Sequence, residues 1–114
     1  MDFVIDKSPD YTSVRVLDDN LNSDLASALK SRLVLIAGNG EQNMILDISP
    51  CGHCDSSGLS AIRFANSLCR NAGGKFILSG IQPAVKQLIE ISQLGVVIQT
   101  AGNMQEAVEM MSRD

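Results

Sequence analysis

The apolar positions of this chain change period along its length. Tyr11-Thr12-Ser13-Val14-Arg15-Val16-Leu17 alternates with period two and is rich in β-branched residues, which predicts a strand with one wet face. Residues 2–6 alternate more loosely and predict a short first strand, joined to the second through the turn Ser8-Pro9-Asp10. So short a connection makes the pair antiparallel, because a parallel crossover needs about a dozen residues or more. Asp18-Asp19-Asn20 then breaks the pattern. Leu21, Leu25, Leu29 and Leu33 recur every four residues, with Ala28 and Ile36 alongside, which is one face of an amphipathic helix. Asn22 or Ser23 can cap it, and Gly38-Asn39-Gly40 ends it.

Residues 43–48 form a short apolar segment, the pattern of a buried central strand. A second helix follows Asp55 and stops at Gly73-Gly74. Lys75-Phe76-Ile77-Leu78-Ser79 reads as a strand, Pro83 suits the first turn of a third helix over 84–91, and Gly95 ends that helix. Val96-Val97-Ile98 reads as a last short strand. Asn103 can cap a final helix, Met104 to Met111, whose apolar residues are Met104, Ala107, Val108 and Met111. The order ββαβαβαβα predicts an α/β fold with a mixed, mostly parallel sheet of about five strands and about four helices.

The second helix can be read residue by residue. At about 100° per residue, Gly58, Ala61, Ile62, Ala65, Leu68, Cys69 and Ala72 share one face and are expected in the core. Ser56, Ser60, Arg63, Ser67 and Arg70 share the opposite face, with Leu59 and Phe64 on the flanks.

Composition narrows the function classes. The 114 residues fit one domain spanning 1–114, with 45% apolar but only 4% aromatic residues, so the core is aliphatic. The net charge is −4 and no two basic residues are adjacent, which leaves no nucleic-acid footprint. The acidic start Met1-Asp2-Phe3-Val4-Ile5-Asp6 does not read as a secretory signal, and the longest apolar runs fall far short of the about 20 residues that span a bilayer. The expectation is a soluble, cytoplasmic protein without membrane insertion. Three cysteines, an odd number, argue against a disulfide framework.

Asp55-Ser56-Ser57-Gly58-Leu59 stands where a strand has ended and a helix begins. Unpaired backbone N–H groups and the helix dipole favour negative charge there. A serine so placed is a candidate acceptor for a phosphoryl group, although Asp55 or Ser56 can equally serve as the helix cap. The chain has one histidine and no glycine-rich phosphate cradle with a lysine, so no catalytic constellation and no cofactor site is evident.

The chain resembles a STAS domain, the fold of bacterial anti-sigma factor antagonists. The resemblance rests on Asp55-Ser56-Ser57-Gly58-Leu59 preceded by Leu46-Asp47-Ile48-Ser49, and on Asn71-Ala72-Gly73-Gly74-Lys75-Phe76. It rests also on Pro83-Ala84-Val85-Lys86-Gln87-Leu88 with Ile91-Ser92-Gln93-Leu94, and on Asn103-Met104-Gln105-Glu106-Ala107. It implies a regulated binding module and no enzyme. Ser56 would be phosphorylated by an ATP-dependent anti-sigma factor serine kinase and reset by a metal-dependent serine phosphatase. The unphosphorylated form would bind the kinase and free a sigma factor. Asp55 would position the Ser56 hydroxyl, with Ser57 and Gly58 supporting the helix start. The partner surface would comprise Ser56, Ser60 and Arg63, with Leu59 and Phe64 as apolar anchors. The family often carries a Gly-Glu-Leu-Asp-like loop near the phosphoserine helix; here Leu17-Asp18-Asp19-Asn20-Leu21-Asn22 stands instead. The same resemblance admits a second role, as a non-catalytic STAS subunit of a larger assembly such as a lipid-trafficking ABC transporter.

A competing motif lies immediately upstream. Cys51-Gly52-His53-Cys54 resembles the active site of protein disulfide isomerases, and a Cys-x-x-Cys pair near a helix N-terminus can carry out thiol–disulfide exchange. The tryptophan expected before the first cysteine is absent; Pro50 stands there. The structural alternative makes Cys54 a small buried hydrophobe and His53 a surface or hydrogen-bonded residue. A metal site on Cys51, His53 and Cys54 lacks an evident fourth ligand, since Cys69 is on the predicted core face.

Overall fold

A computed structural model describes residues 3–113 of the chain. Its main sheet has the order β1-β2-β4-β6-β7, with β1 (Phe3–Lys7), β2 (Thr12–Val16), β4 (Met44–Asp47), β6 (Phe76–Ser79) and β7 (Gln99–Ala101). β1 pairs antiparallel with β2 and every other pair is parallel, as the connection lengths require. Asp2, placed in the first strand by the sequence pattern, lies outside the described residues. β4 is central and all four of its residues are buried.

Alternation along the strands divides the interior in two. Met44, Leu46, Phe76 and Leu78 join Val14 and Val16 in the main core, which also receives α1 (Ser23–Gly38), α2 (Ser56–Asn71) and α3 (Pro83–Ile91). Ile45 and Ile77 face the other way and meet Ala101, Ala107 and Met111 beneath α4 (Met104–Ser112). Leu25, Leu29 and Leu33 dock α1; full burial of each such side chain contributes about 1.5–3 kcal/mol relative to exposure. Ala28, expected on that face, is exposed, and Ala26 is buried in its place. The helix begins after Asn22, whose side chain accepts from the Leu25 N–H at 3.1 Å. Leu21 therefore lies outside the helix, although it is fully buried.

Two further short strands escape the sequence pattern. β3 (Asn20–Leu21) and β5 (His53–Cys54) form a separate parallel ladder pairing Asn20 with His53 and Leu21 with Cys54. A run of two residues carries no period, so nothing in the local sequence announces it. The C-terminal edge also differs from expectation. α3 ends at Ile91 as expected, but the residue that turns the chain is Gln93, left-handed with φ 60°, and not Gly95, which lies inside a 3₁₀ turn over Leu94–Val96. Val96 and Val97 are 84% and 52% exposed and are not strand residues. The residues that reach the core are Leu94 and Ile98, four apart, and the Ile98 N–H closes that turn onto the Leu94 carbonyl at 3.2 Å. The last strand starts at Gln99, three residues after the expected Val96, and pairs there with Ile77.

Candidate functional site

The segment between β4 and α2 is held on three sides. Ile48 donates its N–H to the Ser79 carbonyl, and Asp47 Oδ1 accepts from the Ser49 N–H at 2.9 Å. Asp47 is itself buried, with Arg15 Nε of the neighbouring strand 3.7 Å from Oδ2. The Gln82 side chain, at the N-cap of α3, donates to the Ser49 carbonyl at 2.6 Å. The N–H groups of Gly52 and His53 both donate to the Asp19 carbonyl, at 2.9 and 3.0 Å, and the Asp55 N–H donates to the Leu21 carbonyl at 3.3 Å. The backbone polar groups of this connection thus find partners in β6, at the N-cap of α3, in the loop before β3 and in β3 itself. The loop at residues 17–19, with β3 after it, is thereby fixed beside the start of α2. Leu17, which the alternating pattern includes in the second strand, lies beyond β2 in that loop and is 44% exposed.

At the helix start the capping question has a definite answer. The Asp55 side chain accepts from the Gly58 N–H at 3.0 Å and is the N-cap of α2. Ser56 is the first helical residue and is exposed. Its hydroxyl is not needed for the cap. Ser57 is half-buried. Gly58 is buried, and a Cβ there would stand 2.5 Å from both the Cys54 Sγ and the Leu21 carbonyl oxygen. The position accepts no side chain unless the β3–β5 ladder moves away.

Along α2 the division of faces is as expected in most positions. Gly58, Ala61, Ile62, Ala65 and Cys69 are buried, while Ser56, Ser60, Arg63, Ser67 and Arg70 are exposed. Leu68 is half-buried against the core, Ala72 is exposed beyond the helix end, and Asn66, which the pattern left out, is buried. Leu59 and Phe64 are half-buried and pack against the main core, so each presents part of its side chain outward. Ser60 is engaged: its hydroxyl oxygen accepts from Lys30 Nζ of α1 at 3.1 Å.

The cysteines have a different character from the one that exchange chemistry needs. All three are free thiols. Cys51 is fully buried in the core, Cys54 is half-buried, and His53 is exposed, so the deeper of the two motif cysteines is Cys51. Burial pushes the Cys51 thiol up to about 12, with the nearby Cys54 and Asp18 adding to it. Burial and the Asp55 carboxylate push Cys54 up to about 11. The reactive species is the thiolate, and both environments disfavour it. Among the described residues, no group of three or more His, Cys, Asp or Glu side chains is placed to hold a metal ion. No described helix is long and apolar enough to cross a membrane.

A five-stranded mixed sheet with this helix order, and a serine standing first in α2 behind an aspartate cap, define a known domain class. The STAS domain matches residues 4–107, and the chain belongs to that family. Among its curated relatives is BtrV of Bordetella bronchiseptica, a proposed anti-sigma factor antagonist, 25% identical over 94 residues that cover 82% of this chain and 81% of that protein. Solved structures are close in fold. An anti-sigma factor antagonist from Mycobacterium paratuberculosis superposes with a TM-score of 0.86 at 15% identity, covering 97% of this chain and 93% of that one. The Bacillus cell-fate determinant SpoIIAA, in its phosphorylated form, gives 0.74 at 18% identity, covering 95% and 97%.

Proposed function

We propose that this chain is an anti-sigma factor antagonist working as a partner switch, with Ser56 as the phosphoacceptor. In this reading the unphosphorylated domain binds an anti-sigma factor serine kinase. The kinase transfers the γ-phosphoryl group of ATP to Ser56 Oγ, releasing ADP and the hydroxyl proton. A serine phosphatase later removes the group. The domain itself catalyses nothing, and it acts in the cytoplasm.

The observation that carries the reading is the division of labour at the start of α2. Asp55 caps the helix, which leaves the exposed Ser56 hydroxyl free for chemistry. Phosphorylation adds roughly −1.5 to −2 charges at pH 7. At a helix N-terminus that charge is tolerated by the fold. On a surface packed against a partner, beside Asp55, it brings repulsion and desolvation. A loss of a few kcal/mol weakens a complex by orders of magnitude, since about 1.4 kcal/mol is tenfold. The partner surface is Ser56, Ser60 and Arg63 with the outward parts of Leu59 and Phe64. The loop carrying Leu17 and Asp19 stands beside them.

The test is a pull-down from the protein's own cells. Ser56→Ala should retain a serine kinase in the presence of ATP, and Ser56→Glu should not. Equal recovery of an ATPase assembly by both variants would instead favour the subunit role. Recovery of a kinase by both would refute phosphorylation at Ser56 as the switch.

A further inference from the structure

We infer that Lys30 of α1 is the cation that receives the phosphoryl group on Ser56, so that α1 takes part in the phosphorylated state of this surface. The inference rests on Ser56 as the phosphoacceptor and deepens that reading. In the unmodified protein, Lys30 Nζ donates to Ser60 Oγ at 3.1 Å. Ser56 stands one turn before Ser60 on the same exposed face of α2. Side chains so spaced have Cβ atoms about 5–6 Å apart.

The direction of the side chains favours the contact. α1 leads from β2 into β4 and α2 leads from β4 into β6, both within one parallel part of the sheet. The two helices therefore run the same way. Helical side chains lean toward their own N-terminus. The Lys30 stem thus leans toward the end of α2 at which Ser56 stands. Its four-carbon stem is flexible and its ammonium carries three rotatable donors.

Charge selects Lys30 over its neighbours. The elements that meet at the start of α2 carry Asp55 at its N-cap, Arg63 and Arg70 along it, His53 on β5, Asp18 and Asp19 before β3, and Asp24, Lys30 and Arg32 on α1, of which Lys30 is hydrogen-bonded to the exposed face of α2. The aspartates repel a phosphate. Arg63 lies two turns along, about 10 Å of helix axis away. Lys30 is already held at the first turn beyond Ser56 by a neutral acceptor. The hydroxyl of Ser60 offers the ammonium a neutral acceptor, whereas the phosphate offers an acceptor of opposite charge, so the ammonium moves from Ser60 to the phosphate. The second ionisation of the phosphate, ordinarily at about 6, then falls.

The experiment uses the full chain with phosphoserine installed at residue 56 during translation, without a kinase. Its phosphorus NMR shift is followed against pH in the wild-type background and in Lys30→Met and Lys30→Arg. The inference predicts a titration midpoint about half a pH unit higher in Lys30→Met, the size of one exposed ion pair, and restored in Lys30→Arg. Identical midpoints in all three would overturn it. So would the same difference persisting in urea, where the α1–α2 contact is gone. The result is separable from the partner switch. Absence of phosphate on Ser56 in cells would refute that reading, while the titration alone decides the pairing.

Discussion

The carbonyl oxygen of Leu21 stands 2.5 Å from the point where a Cβ on Gly58 would lie. The first turn of α2 is seated directly on β3, with the Cys54 Sγ equally close. Gly58→Ala therefore forces the helix start away from the ladder. Overpacking of this kind costs about 1–3 kcal/mol. A denaturant midpoint lowered accordingly, with partner binding weakened because Ser56 moves, is the expected result.

Capping and phosphate acceptance are assigned to adjacent residues, and substitution separates them. Asp55→Ala removes the acceptor of the Gly58 N–H and should cost about 1 kcal/mol, with Asp55→Asn recovering most of it. Ser56→Ala, at an exposed position without a capping role, should stay within about 0.5 kcal/mol of wild type. Urea denaturation of the three variants checks the order. A larger loss for Ser56→Ala than for Asp55→Ala would reverse the assignment.

Phosphorylation is expected to act on the interface and to leave the domain intact. Ser56→Glu puts negative charge at the first position of α2, where the dipole is favourable. Its melting temperature should equal or slightly exceed that of wild type, measured by circular dichroism. A marked fall would show that charge at Ser56 disrupts the fold.

The thiols yield a pH prediction. Cys51, Cys54 and Cys69 rise from an ordinary 9.0 to about 12, 11 and 11, burial being the first cause in each. In the unfolded chain they lose protons near the ordinary value, whereas the folded chain holds them through a further two to three pH units. The folded state then binds more protons, so stability falls as pH rises from about 9 to about 12. Urea midpoints at pH 8 and pH 10 should show the fall, reduced in Cys51→Ala relative to its own value at pH 8. At neutral pH iodoacetamide should label Cys54 slowly and Cys51 and Cys69 only after unfolding. Rapid labelling of Cys51 in the folded protein would revive thiol–disulfide exchange.

Much of this arrangement was legible in the sequence, for reasons that particular residues make plain. The period-four leucines of α1 and the two faces of α2 follow from side-chain geometry, and both were read almost residue by residue. Asn66 escaped because a polar residue at a core-facing position breaks the apolar pattern that identifies the face. Val96 and Val97 misled because their β-branched character matches a strand while Gln93 bends the chain into a turn. The β3–β5 ladder was invisible because it depends on two loops meeting in space. The same holds for the Arg15–Asp47 pair, which exists through cross-strand register. Ser56 was named as a candidate from its motif, but that Asp55 and not Ser56 is the cap required the Gly58 N–H to be located.

The central claim is that Ser56 carries the switch. The most direct measurement is a site-resolved phosphopeptide map of the protein taken from its own cells, with free thiols trapped before lysis. Phosphate on Ser56, varying with growth condition, and Cys51 and Cys54 recovered as thiols are the predicted result. Phosphate confined to Ser57 or Ser60, or a Ser56 unmodified in every condition beside a Cys51–Cys54 disulfide, would contradict it.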